Sequence, residues 1–139
     1  MRYLGLDLGT TSLGVAISDK TNTLVSPLTL IKFKKEDYND ALNKLMEIIK
    51  DKNISKVVLG LPKNMDNSLG WRSTETIEFK KKLEKMLDKE VILEDERLTT
   101  KIAENMLIDF DLSRKKRKKV IDGVSAVIIL QSYLDRKER

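Results

Sequence analysis

The apolar runs RYLGLDL and LGVAIS are separated by only Gly9, Thr10, Thr11 and Ser12. So short a link can reverse a chain but cannot carry it across a sheet, so residues 2–8 and 13–18 must be neighbouring antiparallel strands. A polar turn cluster at 19–23 (DKTNT) leads into a third strand over 24–33, where Pro27 favours a sheet edge or a strand end. The chain thus opens as a three-stranded meander. Beyond it the period changes. Ala41, Leu42, Leu45, Met46, Ile48 and Ile49 recur at helical spacing and predict a helix over 36–52. A compact strand follows over 54–59 (ISKVVL), then a helix over 74–88 with Ile77, Leu83 and Leu87 inward, and a short strand over 90–93. Helices over 99–110 and from about Val120 to Asp135 complete the order β-β-β-α-β-α-β-α-α. Strands joined through helices run parallel, so the expected fold class is α/β: a mixed sheet flanked by helices, in one domain over residues 1–139.

The chain contains neither cysteine nor histidine. Thiol catalysis, disulfides, thiolate zinc sites and a serine-histidine-aspartate triad are all excluded. Any metal site must use oxygen ligands, which suit hard cations such as Mg2+ or Mn2+. The net charge of +5 fits a polyanionic partner, most simply nucleic acid. No apolar run reaches the roughly 20 residues of a membrane helix. The N-terminus reads directly into a strand without a signal peptide, so a cytoplasmic location with no membrane partner is expected.

Ligands of open α/β sheets sit beyond the carboxyl ends of the strands, which directs attention to the segments after strands one, four and five. Asp7 lies near the end of strand one, Asp95 and Glu96 follow strand five in DERLTT, and Asp122 stands in the apolar segment VIDGVSAVIIL. Carboxylates brought together repel one another and are costly to bury, so such a cluster calls for cations. Two divalent ions held by carboxylates can stabilise the attacking and leaving oxygens of a phosphodiester without any histidine. Each residue also has a plainer reading. Asp7 can bond its own turn, Asp95 and Glu96 can face the dipole of the next helix behind a Thr99 or Thr100 cap, and Asp122 can be a first-turn residue.

The stretch GLPKNMDNSLGW reads as a loop bordering the same edge. Lys63, Asn64 and Arg72 are suited to phosphates and Trp71 to stacking on a base, or the whole is an ordinary surface loop. The run Arg114, Lys115, Lys116, Arg117, Lys118 and Lys119 precedes the last helix and would border the carboxylates, giving phosphate affinity with steep salt dependence. Alone it reads as a solvated charge block. Arg97 joins these candidate nucleic-acid contacts, and the hydroxyls of Thr10, Thr11 and Ser12 are suited to a scissile phosphate.

Taken together, GLDLGTTSLGVAISD, GLPKNMDNSLGW, DERLTTKIAE and IDGVSAVIILQSYLD resemble the YqgF family of Holliday-junction-resolvase-like and pre-16S rRNA nucleases, in order from Leu4 to Asp135. The resemblance implies an RNase H-like fold with five strands in the order 3-2-1-4-5, strand two antiparallel to the rest. It implies a metal-dependent nuclease using Mg2+ or Mn2+, with two ions expected. The acidic set carried over is Asp7, Glu96 and Asp122, with Asp95 held in reserve. The implied role is maturation of the 5′ end of the small-subunit ribosomal RNA precursor, on structured RNA or precursor particles; the alternative is resolution of four-way DNA junctions. Junction cutting calls for a homodimer with paired sites, whereas end-trimming is open to a monomer. Two other classes compete. DLGTTS is similar to the first phosphate turn of actin-like ATPases, but the second turn and second domain of those proteins are missing. A non-catalytic RNA-binding module is the third reading, disfavoured by the presence of all three carboxylates.

Overall fold

The computed structural model describes residues 2–62, 71–95 and 114–137, the side chains of 71–72, 114–123 and 137 excepted. Strand β1 (Arg2–Leu8) turns directly into β2 (Ser12–Ser18), antiparallel, with Asp7 opposite Gly14 and Leu8 opposite Leu13. Strand β3 (Val25–Lys32) pairs antiparallel with β2 at the sheet edge. Its register slips between Val15 and Ala16, beside Pro27, which sits where a missing N–H is tolerated. Helix α1 (Tyr38–Lys52) carries the chain across to β4 (Ile54–Leu61), parallel to β1; helix α2 (Trp71–Leu87) carries it on to β5 (Val91–Asp95), parallel to β4. The sheet order is β3-β2-β1-β4-β5, as the resemblance implies. Helix α3 (Arg114–Lys137) closes the described chain. No helix among the described residues is long and apolar enough to cross a membrane.

The two faces of the sheet pack against different helices. Leu4, Leu6 and Leu8 of β1, Val57 and Leu59 of β4, and Val91 of β5 share a core with Ala41, Leu42 and Leu45 of α1 and with Phe79 and Leu83 of α2. The alternate positions face α3: Val58, with Tyr3 and Ile92 beside it, packs against Ile129, Leu130, Tyr133 and Leu134. Period-two alternation along β1 therefore places Tyr3, Gly5 and Asp7 on the α3 face. Gly5 shows how tightly α3 lies there. A Cβ at that position would stand 2.6 Å from Leu130 Cβ and 2.7 Å from the Ala126 carbonyl oxygen.

Several boundaries differ from the sequence expectation, each for a local reason. Helix α1 starts at Tyr38, not at residue 36, because the Asp37 carboxylate caps it by accepting from Asp40 N–H. Strand β4 runs on through Gly60 and Leu61, paired with Glu94 and Asp95, so both pairs of residues belong to the sheet and not to loops. Helix α2 already contains Trp71 and Arg72, read above as loop residues. Its buried side includes Ser73, Thr76 and Phe79 as well as Leu83, and Ser73 Oγ donates to the Pro62 carbonyl, fastening the helix to the end of β4. Ile77, expected inward, is only half-buried. The basic run lies within α3 and not ahead of it: lysine and arginine are good helix formers, and no glycine or proline stands before Gly123. The helix expected over 99–110 lies outside the described residues.

Candidate active site

The carboxyl ends of the parallel strands β1, β4 and β5 share one edge of the sheet, and among the described residues Asp7 and Asp95 stand at that edge. Asp7 is half-buried at the end of β1. The turn after it is closed by a hydrogen bond from Gly9 N–H to the Ser12 carbonyl of 2.7 Å. A Cβ on Gly9 would approach that same oxygen to 3.2 Å, a tight contact that the turn would have to ease by a few tenths of an ångström. Ser12, expected as a turn residue, is the first residue of β2. The turn is braced from outside as well: Phe33 N–H donates to the Thr11 carbonyl (3.0 Å) and Glu36 N–H to the Thr10 carbonyl (2.8 Å). The segment after β3 thus locks the turn beside Asp7 through two backbone bonds.

Helix α3 runs along the same face of β1 in a readable register. The rings of Tyr3 and Tyr133 lie 6.3 Å apart, and Gly5 touches Ala126 and Leu130. Two residues along β1 therefore correspond to between one and two turns back along α3. Continuing that step from Gly5 to Asp7 leads to the turn preceding Ala126, where residue 122 stands in the helix.

At the end of β5, parity separates two acids. Asp95 follows Val91 and Leu93 on the face of α1 and α2, whereas Glu94 follows Ile92 onto the α3 face. Glu94 is buried, with 6% of its surface exposed, and meets the guanidinium of Arg136, Nη1 donating to Oε1 at 2.8 Å. Nη2 lies 2.7 Å from Oε2, an ion pair without hydrogen-bond alignment. Burial pushes the Glu94 carboxyl above its ordinary range, partly offset by Arg136, and neighbouring Asp95 pushes in the same direction as burial. The same guanidinium lies over the Tyr133 ring. Glu94 was not singled out from the sequence; the available signal was its even-numbered place with Ile92 in VILED.

The structure thus places Asp7 and the turn bearing Thr10 and Thr11 at one edge, and α3, which carries residue 122 one turn before Ala126, crosses the same strand. Arg72 and Arg114, Lys115, Lys116, Arg117, Lys118 and Lys119 stand on helices as backbone positions. Lys63, Asn64, Glu96 and Arg97 lie outside the described residues. Among the described residues no group of three or more carboxylates converges.

A five-stranded sheet of this order, with a helix laid across its central strand, is the RNase H-like fold. Two solved structures share that fold: the Thermus thermophilus RuvC bound to a Holliday junction substrate (TM-score 0.62, 13% identity, covering 99% of this chain and 96% of that one), and the Fowlpox virus resolvase with Holliday junction DNA (TM-score 0.59, 16% identity, covering 100% of both chains). Residues 1–136 match the family model described as "RuvX: Holliday junction resolvase", and the chain belongs to that family. Among its curated relatives, the Bacillus subtilis (strain 168) protein named "Putative pre-16S rRNA nuclease" is 51% identical over 135 residues, 97% of this chain and 98% of its own length. A Bacillus cereus (strain B4264) protein of the same name is 46% identical over 137 residues, 99% of this chain and all of its own. Both names agree with the nuclease class expected from the sequence.

Proposed function

We propose that this chain is a single-domain, metal-dependent nuclease that hydrolyses phosphodiester bonds in the 5′-end processing of pre-16S rRNA. The observation that carries the reading is the register of α3 on β1, which steps from Tyr3 to Gly5 and onward toward Asp7 and Asp122. Names of full-length relatives supply the substrate class. Asp7, Asp122 and Glu96 are the residues that would hold the metal, Glu96 being preferred over Asp95 because parity puts Asp95 on the other face. The donor set fits a hard cation, since a chain without histidine or cysteine has only oxygen ligands to offer. Bound Mg2+ or Mn2+, two ions in the full site, supplies charge neutralisation at the phosphoryl group and acidifies a water.

The chain's own residues do the rest. Asp7, fixed at a strand end between β2 and β4, is held in place before substrate arrives. The Thr10, Thr11 and Ser12 hydroxyls are suited to the scissile phosphate, and the basic first turns of α3 to the strand leading from it. We place the protein in the cytoplasm, as a monomer for end-trimming. The second reading, four-way DNA cleavage by a homodimer, is favoured by the family's own description. Incubation with precursor rRNA, single-stranded RNA and a four-way DNA junction, with Mg2+ or Mn2+, separates the two. Preferential cutting of the precursor near its mature 5′ end is expected; preferential cutting of the junction would replace this reading with the second.

A further inference from the structure

The segment after β3 does more than brace the catalytic turn. Lys34 and Lys35 lie between the two backbone bonds that fasten it there, Phe33 N–H to the Thr11 carbonyl and Glu36 N–H to the Thr10 carbonyl. Both lysines are exposed, and neither meets a carboxylate among the described residues. A second turn holds them in this position: Asp37 N–H donates to the Lys34 carbonyl (2.8 Å), and Glu36 takes a left-handed conformation at φ 63°. A non-glycine residue in that region carries backbone strain, which persists where surrounding bonds over-determine it, as they do here. The Asp37 carboxylate is engaged in capping α1. Across the junction, the Thr10 and Thr11 carbonyls are occupied, while their N–H and hydroxyl donors take no hydrogen bond among the described residues. The donors and the two lysines therefore stand on adjacent segments that these backbone bonds hold together. Thr10 is three residues from Asp7, no more than about 11 Å of extended chain.

We propose that Lys34 and Lys35 extend the Thr10–Thr11 turn into a phosphate cradle: the threonine hydroxyls hold the scissile phosphate, and the two lysines grip the nucleic-acid backbone at the phosphate next to it. This rests on the nuclease reading, and it assigns substrate positioning to a segment with no carboxylate of the proposed metal set. Two lysine contacts contribute to binding through counterion release, so their removal weakens binding and reduces its salt dependence. The reaction itself is untouched once substrate is bound, so the effect belongs in KM and not in kcat.

The test is the double variant Lys34→Gln/Lys35→Gln beside a charge-matched control, Lys81→Gln/Lys82→Gln, on the exposed face of α2. Cleavage of a precursor rRNA fragment is followed between about 50 and about 200 mM salt. We expect KM to rise about tenfold at the higher salt, the log–log salt slope to fall by roughly 1.4, and kcat to stay within about twofold. The control should match the parent, and all three proteins should melt together, since the lysines are exposed and meet no carboxylate among the described residues. A KM and slope equal to the control's, or a fall in kcat or melting temperature without a change in slope, would overturn the cradle. If the parent cuts no nucleic acid, the nuclease reading fails separately; binding of labelled RNA to the same variants then decides the cradle alone.

Discussion

Gly5→Ala adds one methyl group at the place where α3 touches the sheet. The new Cβ would stand 2.6 Å from Leu130 Cβ and 2.7 Å from the Ala126 carbonyl oxygen. Carbon atoms prefer about 3.5–4.0 Å, so the shortfall is roughly 1 Å against backbone as well as side chain. Overpacking of this kind costs about 1–3 kcal/mol. The substitution also stiffens the unfolded chain, which returns about 0.4–1 kcal/mol. A net loss of about 1–2 kcal/mol remains, a fall in melting temperature of roughly 3–8 °C for a chain of this size. Activity should suffer more than stability. The only relief is for α3 to lift or slide by about 1 Å, and the helix carries Asp122 one turn ahead of Ala126. A displacement of that size at reacting groups costs up to about 10²-fold in rate. Circular-dichroism melting and single-turnover cleavage of the precursor fragment, both well below the melting temperature, read the two effects apart. Leu130→Ala leaves its own Cβ and the helix backbone in place, so adding it to Gly5→Ala should recover nothing. Gly5→Ala melting at or above the parent, with full activity, would refute the close approach of α3 and the register drawn from it.

Other expectations follow from charge and pairing. Arg136→Ala leaves the buried Glu94 carboxylate without its cation; because Arg136 is itself mostly exposed, we expect a loss of about 1–3 kcal/mol in urea denaturation, largely recovered when Glu94→Gln is added, and a loss that persists in the double variant would deny the pairing. Glu84 accepts from Val91 N–H (2.9 Å) and pairs with Lys80, which together hold its carboxyl below the ordinary range. A carboxylate lowered on folding stabilises above its unfolded pKa and stops doing so as pH falls through the folded value. Glu84→Gln should therefore cost about 1 kcal/mol at about pH 7 and nothing at about pH 2; an equal cost at both would show that the charge is not what was lost. Replacing Lys115, Lys116, Lys118 and Lys119 by glutamine should lower the salt slope of RNA binding by up to about 2.8, and an unchanged slope would remove the start of α3 from the interface.

The hairpin was legible because its link is too short for any other connection, and the helices between the remaining strands made those strands parallel; their order came with the family resemblance. Asp7 could be singled out as a charge in an apolar strand. What the chain could not reveal was which helix covers which face. Gly5 reads as an ordinary weak spot in a strand until α3 is seen lying on it. Glu94 and Asp95 read as residues beyond a strand end because carboxylates are poor strand formers; pairing with Gly60 and Leu61 draws both into the sheet and sends them to opposite faces. Phe79, and not Ile77 two positions before it, is the buried residue of α2 there, which was not legible because the lysine-rich sequence around them gives a weak periodic signal. The brace between residues 33–36 and the Thr10–Thr11 turn is made by backbone groups, which no side-chain pattern announces.

The convergence of Asp7 and Asp122 on one reacting phosphodiester is tested most directly by a double-mutant cycle on cleavage rate. Asp7→Asn and Asp122→Asn should each lower the rate of precursor cutting by about 10³-fold or more, and the double variant should be no slower than the worse single one, because groups acting as a unit are lost together. All three should melt cooperatively and still bind the RNA. Parental cutting by either single variant, or losses that simply multiply, would contradict a shared site.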